Sequence, residues 1–188
     1  FFREDYDVSG FDEIPVPGCI QNFGYDMQQY TNVRYPFPVD PPYVPAENPC
    51  GAYVHHFVYE KDSRTLRAYL NFEGVDSCFY SQVSHSTSEF DVTDHLKEGE
   101  NTLAVLVLKW CDGSYLEDQD KFRMTGIFRD VYLLKRPEEG IFDYFITTSQ
   151  EENKARIQAA VTFFGKETPL KRLRQGRGNL CRGGRNPF

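Results

Sequence analysis

The sequence lacks the features that mark several common classes of protein. It contains no hydrophobic run long enough to span a bilayer, no C-x-x-C pair and no zinc-like spacing of cysteines. The G-x-S-x-G and H-E-x-x-H patterns are absent, and so is a glycine loop that could hold a phosphate group. No segment has the period of a long amphipathic helix. These absences argue against a membrane protein, a helical bundle and the common hydrolase and phosphate-binding motifs.

Positive charge is scarce outside the C-terminal end. The 188 residues carry a formal net charge of −7, and the last eighteen hold six basic side chains and no acidic one. Residues 1–170 therefore carry a charge of about −13, which makes them a poor partner for nucleic acids or anionic membranes. The start, FFREDYDVSG, lacks a basic region followed by an apolar run. We therefore expect a soluble, cytoplasmic protein without an export signal.

Cysteine is present, but in no paired arrangement. The five cysteines are odd in number and widely scattered: Cys19, Cys50, Cys78, Cys111 and Cys181. This distribution predicts buried free thiols in a reducing compartment, and neither a disulfide framework nor a metal site.

Aromatic and hydrophobic residues are abundant, and they mostly alternate with a period of two. Aromatics make up 15% of the chain and hydrophobic residues 40%, which predicts a folded protein. TLAVLVLKW (102–110) is apolar on both faces and predicts a central strand, preceded by a turn at Gly99 and Asn101 and ending at a Trp110 that packs inside. Other strands are predicted at 52–60, 66–74, 126–136, 141–149 and 155–163. The architecture predicted from these strands is an all-β sandwich.

Two proline-containing stretches predict how the strands are connected. Six prolines between Pro36 and Pro49 predict an extended connection along the surface. Arg136-Pro137, followed by EEG, predicts a domain boundary, after which only two more strands precede a basic, unstructured tail.

The acidic segment WCDGSYLEDQD (110–120) is the candidate for chemistry. Its four acids, Asp112, Glu117, Asp118 and Asp120, do not have the spacing of an EF-hand calcium loop. They could supply the paired carboxylates of a glycosidase, although nothing nearby predicts a matching scaffold. Residue chemistry favours a turn at Asp112 whose neighbouring acids pair with Lys121, Arg123 and Arg129. The adjacent His55 and His56 face opposite ways on a strand, which argues against a shared metal.

Four segments, taken together, resemble a known family. They are VPGCIQNFGYDMQQYTNVRYPFPVDPPYVPAENPCGAY (16–53), FEGVDSCF (72–79), SEFDVTDHLKEGENTLAV (88–105) and WCDGSYLEDQDKFRMTGIFRDVYLL (110–134). In this order they resemble the N-terminal sugar-binding domain of family 2 glycoside hydrolases, in the β-galactosidase branch.

The resemblance implies a fold and a parent enzyme. The implied fold is a galactose-binding-domain-like jelly-roll β-sandwich at 1–136, followed by the first strands of a truncated immunoglobulin-like β-sandwich at 137–168 and a tail at 169–188. The implied parent, a homo-oligomer, hydrolyses terminal β-D-galactosides with retention and uses sodium and magnesium ions. Its two catalytic glutamates lie on a barrel outside this chain, so we expect the chain alone to be inactive.

The resemblance also implies two site residues, Asn32 and Asp112. Asn32, in YTNVRYP, matches an asparagine that reaches into the galactose subsite. Asp112, in WCDGSYLEDQD, matches an aspartate that binds the sugar hydroxyls and a sodium ion. An amide can donate and accept hydrogen bonds, a carboxylate accepts them, and a hard cation prefers oxygen.

The sequence also departs from the family pattern. A hairpin is missing where Phe79 runs directly into Tyr80. Either the gene has lost it or the sequence as given omits it, and a real loss predicts damage to one edge of the sandwich. Ile20 and Phe122 replace tryptophans at positions that we expect to pack in the core, and His85 falls near a usual arginine. Two other functions remain open from the residues: a free-standing carbohydrate-binding module and a structural or assembly domain.

Overall fold

The chain folds into β-strands joined by loops and short 3₁₀ turns. The computed structural model describes residues 1–3, 5–79, 82–83, 86–117, 120–151 and 154–164. In chain order the strands are β1 (Gln29–Thr31), β2 (Cys50–Tyr59), β3 (Arg67–Phe72), β4 (Val75–Asp76), β5 (Cys78–Phe79), β6 (Gln82–Val83), β7 (Ser88–Asp91), β8 (Gly99–Leu108), β9 (Lys121–Arg123), β10 (Gly126–Ile127), β11 (Val131–Arg136), β12 (Gly140–Glu151) and β13 (Lys154–Phe164). Short 3₁₀ helices lie at Ile20–Phe23 and Asp112–Tyr115. The described chain is all-β, as predicted, and none of its helices has the length and apolar character to cross a bilayer.

The predicted central strand is β8. It lies between β2 and β5 in a four-stranded sheet of order β2-β8-β5-β6. Gly99, at its start, has φ +91°, and the side chain of Asn101 bonds the backbone of Lys97 and Gly99, so this turn forms as predicted.

The second sheet has the order β11-β3-β7, and the core lies between it and the first. Phe72 of this sheet packs with Phe79, Val105 and Val107 of the first, and the rings of Phe72 and Phe79 are 4.5 Å apart. Val107 is fully buried. Burying each such side chain contributes roughly 1.5–3 kcal/mol, so this apolar layer holds the two sheets together as a sandwich.

The edge at which the family hairpin is missing is short in this fold. Strands β5 and β6 have two residues each, and Cys78 is the one residue of β5 that pairs with β8. Tyr80 and His85 lie outside the described residues. Among the predicted packing positions, Ile20 is buried at 4% exposure, whereas Phe122 is 57% exposed. The prediction for Phe122 is wrong because β9 pairs with no described strand other than β1, which leaves this ring beside Tyr30 at 5.5 Å on the surface.

The chain divides into two compact units, Phe1–Glu138 and Glu139–Phe188. In the second unit β12 and β13 form an antiparallel hairpin with an irregularity between Ile141 and Asp143. Several of its large side chains are exposed: Ile141, Phe142, Tyr144, Phe145, Ile146 and Ile157. The predicted boundaries at 136 and 168, and the immunoglobulin-like character of the second unit, stay predictions, and the predicted tail lies outside the described residues.

We expect Gly126→Ala to destabilise the sandwich by about 2–3 kcal/mol. Gly126 has φ +138°, and a Cβ there would lie 2.7 Å from the carbonyl oxygen of Gly18 and 2.9 Å from the hydroxyl of Tyr53. Urea unfolding measures the loss. Gly10→Ala is the matched control, because a Cβ at Gly10 meets no atom within 4 Å, and equal losses for the two variants would contradict the prediction.

Candidate functional site

Asp112 begins the 3₁₀ helix that follows the central strand. Cys111 precedes this helix in an extended conformation, its amide donates to Ser114 Oγ at 3.1 Å, and its carbonyl accepts from the Ser114 amide at 3.0 Å. These bonds fix the first turn. The carboxylate of Asp112 is exposed, and one of its oxygens accepts from the Gly113 amide at 2.9 Å. The helix therefore presents Asp112 to solvent from a fixed backbone.

Trp110 anchors the beginning of this segment inside the protein. It is 7% exposed, so the prediction that it packs inside is confirmed. The side chain of Asn48 holds its backbone on both sides, accepting from the Trp110 amide at 2.9 Å and donating to its carbonyl at 2.7 Å. Asn48 belongs to the proline-rich stretch, so that stretch fixes where the acidic segment starts.

Tyr115 holds the same stretch at the other end of the 3₁₀ helix. Its hydroxyl donates to the carbonyl of Tyr43 at 2.5 Å and accepts from the Asp40 amide at 3.2 Å. Its ring packs edge-on against Phe37 at 5.3 Å. The connection predicted between Pro36 and Pro49 is thus a second support for the helix that carries Asp112.

Asn32 lies just beyond strand β1 and is exposed. Two residues earlier, the hydroxyl of Tyr30 in β1 donates to a carboxylate oxygen of Asp120 at 2.5 Å. The bond to Asp120 raises the pKa of Tyr30. The bond of Tyr30 therefore ties the strand that precedes Asn32 to the acidic segment.

Arg123 joins the two segments that carry the predicted site residues. Strand β1 pairs with β9, which places Gln29 opposite Arg123. The guanidinium of Arg123 donates to Thr31 Oγ1 at 2.9 Å and to the carbonyl of Glu117 at 2.8 Å, and the residue is 5% exposed. The fold therefore links the strand before Asn32 to the end of the loop that begins at Asp112.

The other acids of the segment have separate partners. Glu117 lies 3.9 Å from the ammonium group of Lys121, as predicted, whereas Asp120 bonds Tyr30. Asp118 lies outside the described residues. The guanidinium of Arg129, a predicted partner of the segment, stacks 5.4 Å from the ring of Phe128. The three described acids, Asp112, Glu117 and Asp120, therefore have separate partners and do not form one cluster.

A buried ion pair next to the acidic segment was not predicted from the sequence. Lys109 bonds Asp26, and their side chains are 2% and 17% exposed. Burial raises the pKa of Asp26, but hydrogen bonds from Lys109 and from Gln21, at 2.8 Å, outweigh it and hold this pKa below its usual value. A single lysine at the end of the apolar run TLAVLVLKW was the available signal, since lysine is rarely buried without a partner.

The described residues fit a sodium ion only in part. Asp112 offers carboxylate oxygens, which a hard cation prefers, and among the described residues one oxygen of this carboxylate has no hydrogen-bond donor. In the same part of the chain, His, Cys, Asp and Glu side chains form no group of three or more that could hold a metal. The role of Asp112 as a sodium ligand therefore stays a prediction.

Comparison with known proteins identifies the family. The profile of the family described as "Glycosyl hydrolases family 2, sugar binding domain" matches residues 4–137. The chain belongs to this family. Because the match covers the residues that form the sandwich, this family 2 sugar-binding domain has the jelly-roll fold that the resemblance implied.

The relatives of this family 2 domain are much longer than the chain. It is 56% identical over 172 residues to a protein named Beta-galactosidase from Actinobacillus pleuropneumoniae, covering 86% of this chain and 17% of the relative. A Beta-galactosidase from Staphylococcus xylosus is 48% identical over 160 residues, covering 79% and 16%. The chain thus spans less than a fifth of the length of these curated relatives.

One solved structure supports the fold alone. A Beta-glucuronidase from an uncultured Clostridium sp. matches with a TM-score of 0.50 and 23% identity, covering 60% of this chain and 23% of that one. At this identity the similarity supports the arrangement of the strands and gives no information about the substrate.

Proposed function

We propose that this chain is the N-terminal sugar-binding part of a β-galactosidase that hydrolyses terminal non-reducing β-D-galactose residues with retention. The observation that carries the proposal is the 56% identity to a Beta-galactosidase over 86% of the chain. The catalytic glutamates belong to the remaining domains of the parent enzyme, and this chain completes the galactose subsite.

Asn32 and Asp112 are the proposed sugar contacts. Both are exposed, and both follow β-strands whose positions are fixed by buried neighbours, Trp110 and Arg123. The carboxylate of Asp112 would accept hydrogen bonds from galactose hydroxyls, and the amide of Asn32 would donate and accept them. Rigid placement matters because orientation of the substrate removes part of the activation barrier.

The proposal extends to ions, assembly and compartment. Asp112 would also be a sodium ligand, and a bound sodium ion would supply positive charge beside the sugar hydroxyls. The parent enzyme would use magnesium as well and would be a homo-oligomer in the cytoplasm. An export signal encoded in the parent gene would contradict the proposed cytoplasmic location and leave the rest of the proposal unchanged.

We expect the 188-residue chain to show no turnover of a chromogenic β-galactoside. It should be purified from a host without its own β-galactosidase, with a mock purification as the control. The reason is that the proposed catalytic carboxylates lie elsewhere, so binding groups alone remain. Turnover above that of the mock preparation would contradict the proposal that the catalytic glutamates lie in other domains of the parent enzyme.

Calorimetric titration with galactose separates the alternatives. The proposed fragment should bind with a Kd weaker than about 1 mM, because most partners of the subsite are missing. Tight binding with one galactose per chain would favour a free-standing carbohydrate-binding module. No binding, together with self-association during size-exclusion chromatography, would favour an assembly domain.

A further inference from the structure

The two-stranded ribbon formed by β1 and β9 is polar on its inner side and aromatic on its outer side. Tyr30 and Phe122 lie directly opposite each other in this pair, and both are more than half exposed. On the other side, the buried guanidinium of Arg123 donates to Thr31 Oγ1. Antiparallel strands commonly turn apolar side chains inward and polar ones to solvent. The reversed arrangement of this ribbon leaves two aromatic rings on its surface, where a ligand can reach them.

The two exposed rings are held in place by contacts within the domain. The centroids of Tyr30 and Phe122 are 5.5 Å apart, and the ring planes are tilted by 53°. The hydroxyl of Tyr30 donates at 2.5 Å to Asp120, which directly precedes β9. A ligand that lies on rings already fixed in this way loses less binding free energy to the ordering of side chains. We call Tyr30 and Phe122 the aromatic platform.

Asn32, the proposed galactose contact, lies beside the aromatic platform. It follows Thr31 at the end of β1, so its Cα lies about 6.6–6.8 Å from that of Tyr30, and strand alternation places the two side chains on the same side. Small-molecule sites typically combine apolar and aromatic surface with a few polar groups that fix the orientation of the ligand. The platform supplies the aromatic surface, and the exposed amide of Asn32 supplies a polar group next to it.

We propose that galactose lies with its apolar face on the aromatic platform while Asn32 contacts one of its hydroxyls. The axial 4-hydroxyl of galactose leaves the C–H bonds at C3, C4 and C5 together on the opposite side of the sugar ring. Such C–H bonds are attracted to the negative face of an aromatic ring. This inference rests on the proposed function, because it adds Tyr30 and Phe122 to the same galactose subsite.

The size of the ribbon favours a sugar over a protein partner. Strands β1 and β9 have three residues each, so the ribbon is about 10 Å long. One sugar ring can cover the two aromatic side chains. A stable protein interface buries about 800 Å² on each partner, which is far more than this outer face offers.

The inhibition of the complete parent enzyme by free galactose tests the proposal. Phe122→Leu and Tyr30→Leu should each raise the inhibition constant of galactose by about 2- to 10-fold, which corresponds to the strength of an aromatic ring contact. Phe122→Tyr keeps a ring and should keep the native constant. Phe142→Leu is the matched control, because Phe142 is also an exposed phenylalanine but belongs to the second unit.

Three results would overturn the proposal. The first is an unchanged inhibition constant in both Tyr30→Leu and Phe122→Leu. The second is a higher KM for a chromogenic β-galactoside with an unchanged constant for galactose, which would place the leaving group on the rings. The third is a lower melting temperature with unchanged galactose binding, which would show that the rings pack against another domain.

The native parent enzyme separates this inference from the proposed function. A native parent that does not hydrolyse a β-galactoside would contradict the proposed function itself. A native parent that hydrolyses it, and whose inhibition by galactose is insensitive to both leucine variants, would contradict the aromatic platform alone.

Discussion

Replacing Lys109 with alanine is expected to lower the free energy of unfolding by about 3–5 kcal/mol. The ammonium group of Lys109 is the cationic partner of Asp26, and its side chain is 2% exposed. Removing it leaves a largely buried carboxylate with the amide of Gln21 as its remaining side-chain partner. Chemical denaturation at neutral pH, followed by the fluorescence of Trp110, measures the change.

The pH dependence identifies the cause of this loss. The pKa of Asp26 is lowered in the folded chain, so its contribution to stability is present above the unfolded pKa and is lost as the pH falls through the folded one. Without Lys109, only the hydrogen bonds from Gln21 and Met27 oppose the effect of burial, so the pKa of Asp26 should move upward from its native position and protonation of the carboxylate should cost the variant less stability. The difference between the variant and the native chain should therefore shrink below about pH 4.

Lys121→Ala is the matched control for Lys109→Ala. Lys121 faces Glu117 at 3.9 Å and is ten times more exposed, at 21%, so its loss should cost at most about 1 kcal/mol. A double variant, Lys109→Met with Asp26→Asn, should recover part of the stability because it removes both charges. Similar losses for the two lysine variants would show that burial of the Lys109 pair is unimportant.

Asp112→Ala in the complete parent enzyme is expected to lower kcat/KM by about 10- to 100-fold, which corresponds to roughly 1.5–3 kcal/mol for hydrogen bonds to a charged group. The proposed activation by sodium should weaken at the same time. The melting temperature should stay unchanged, because the side chain is exposed and its one hydrogen bond among the described residues is to the neighbouring amide of Gly113.

Asp94→Ala is the control for this second prediction. Asp94 is also an exposed aspartate in a turn, but it belongs to the connection between β7 and β8. Kinetics with a chromogenic galactoside, at several sodium concentrations, should separate the two variants, with Asp112→Asn between them because an amide keeps hydrogen bonding without the charge. If Asp112→Ala behaved like Asp94→Ala, the assignment of Asp112 would be wrong.

Strands with strong alternation or continuous apolar character could be predicted from the sequence. TLAVLVLKW predicted both the existence and the central place of β8, because a strand covered on both faces needs apolar side chains on both. The predicted strand at 126–136 is instead two strands, β10 and β11. Gly126 has a positive φ, and the chain then changes partner from β4 to β3, which periodicity does not encode.

Contacts between distant residues could not be predicted in the same way. The cysteines were expected to be buried, yet none of the four described ones is, and Cys50 is exposed. The pair formed by Lys109 and Asp26 joins residues that are 83 positions apart in the sequence. Local sequence patterns do not show which distant residue such a side chain will contact. Asn32 and Asp112 entered through family resemblance, and their roles stay predictions.

Arg123 also sets how this surface fluctuates. Its guanidinium holds Thr31 and Glu117 at once, so neither segment can leave the body of the domain without breaking bonds to the same buried group. Segments that share such a support open as one cooperative unit, with one free energy of local opening. Ligand binding at either Asn32 or Asp112 would therefore slow amide exchange in both segments, even where the ligand touches only one of them.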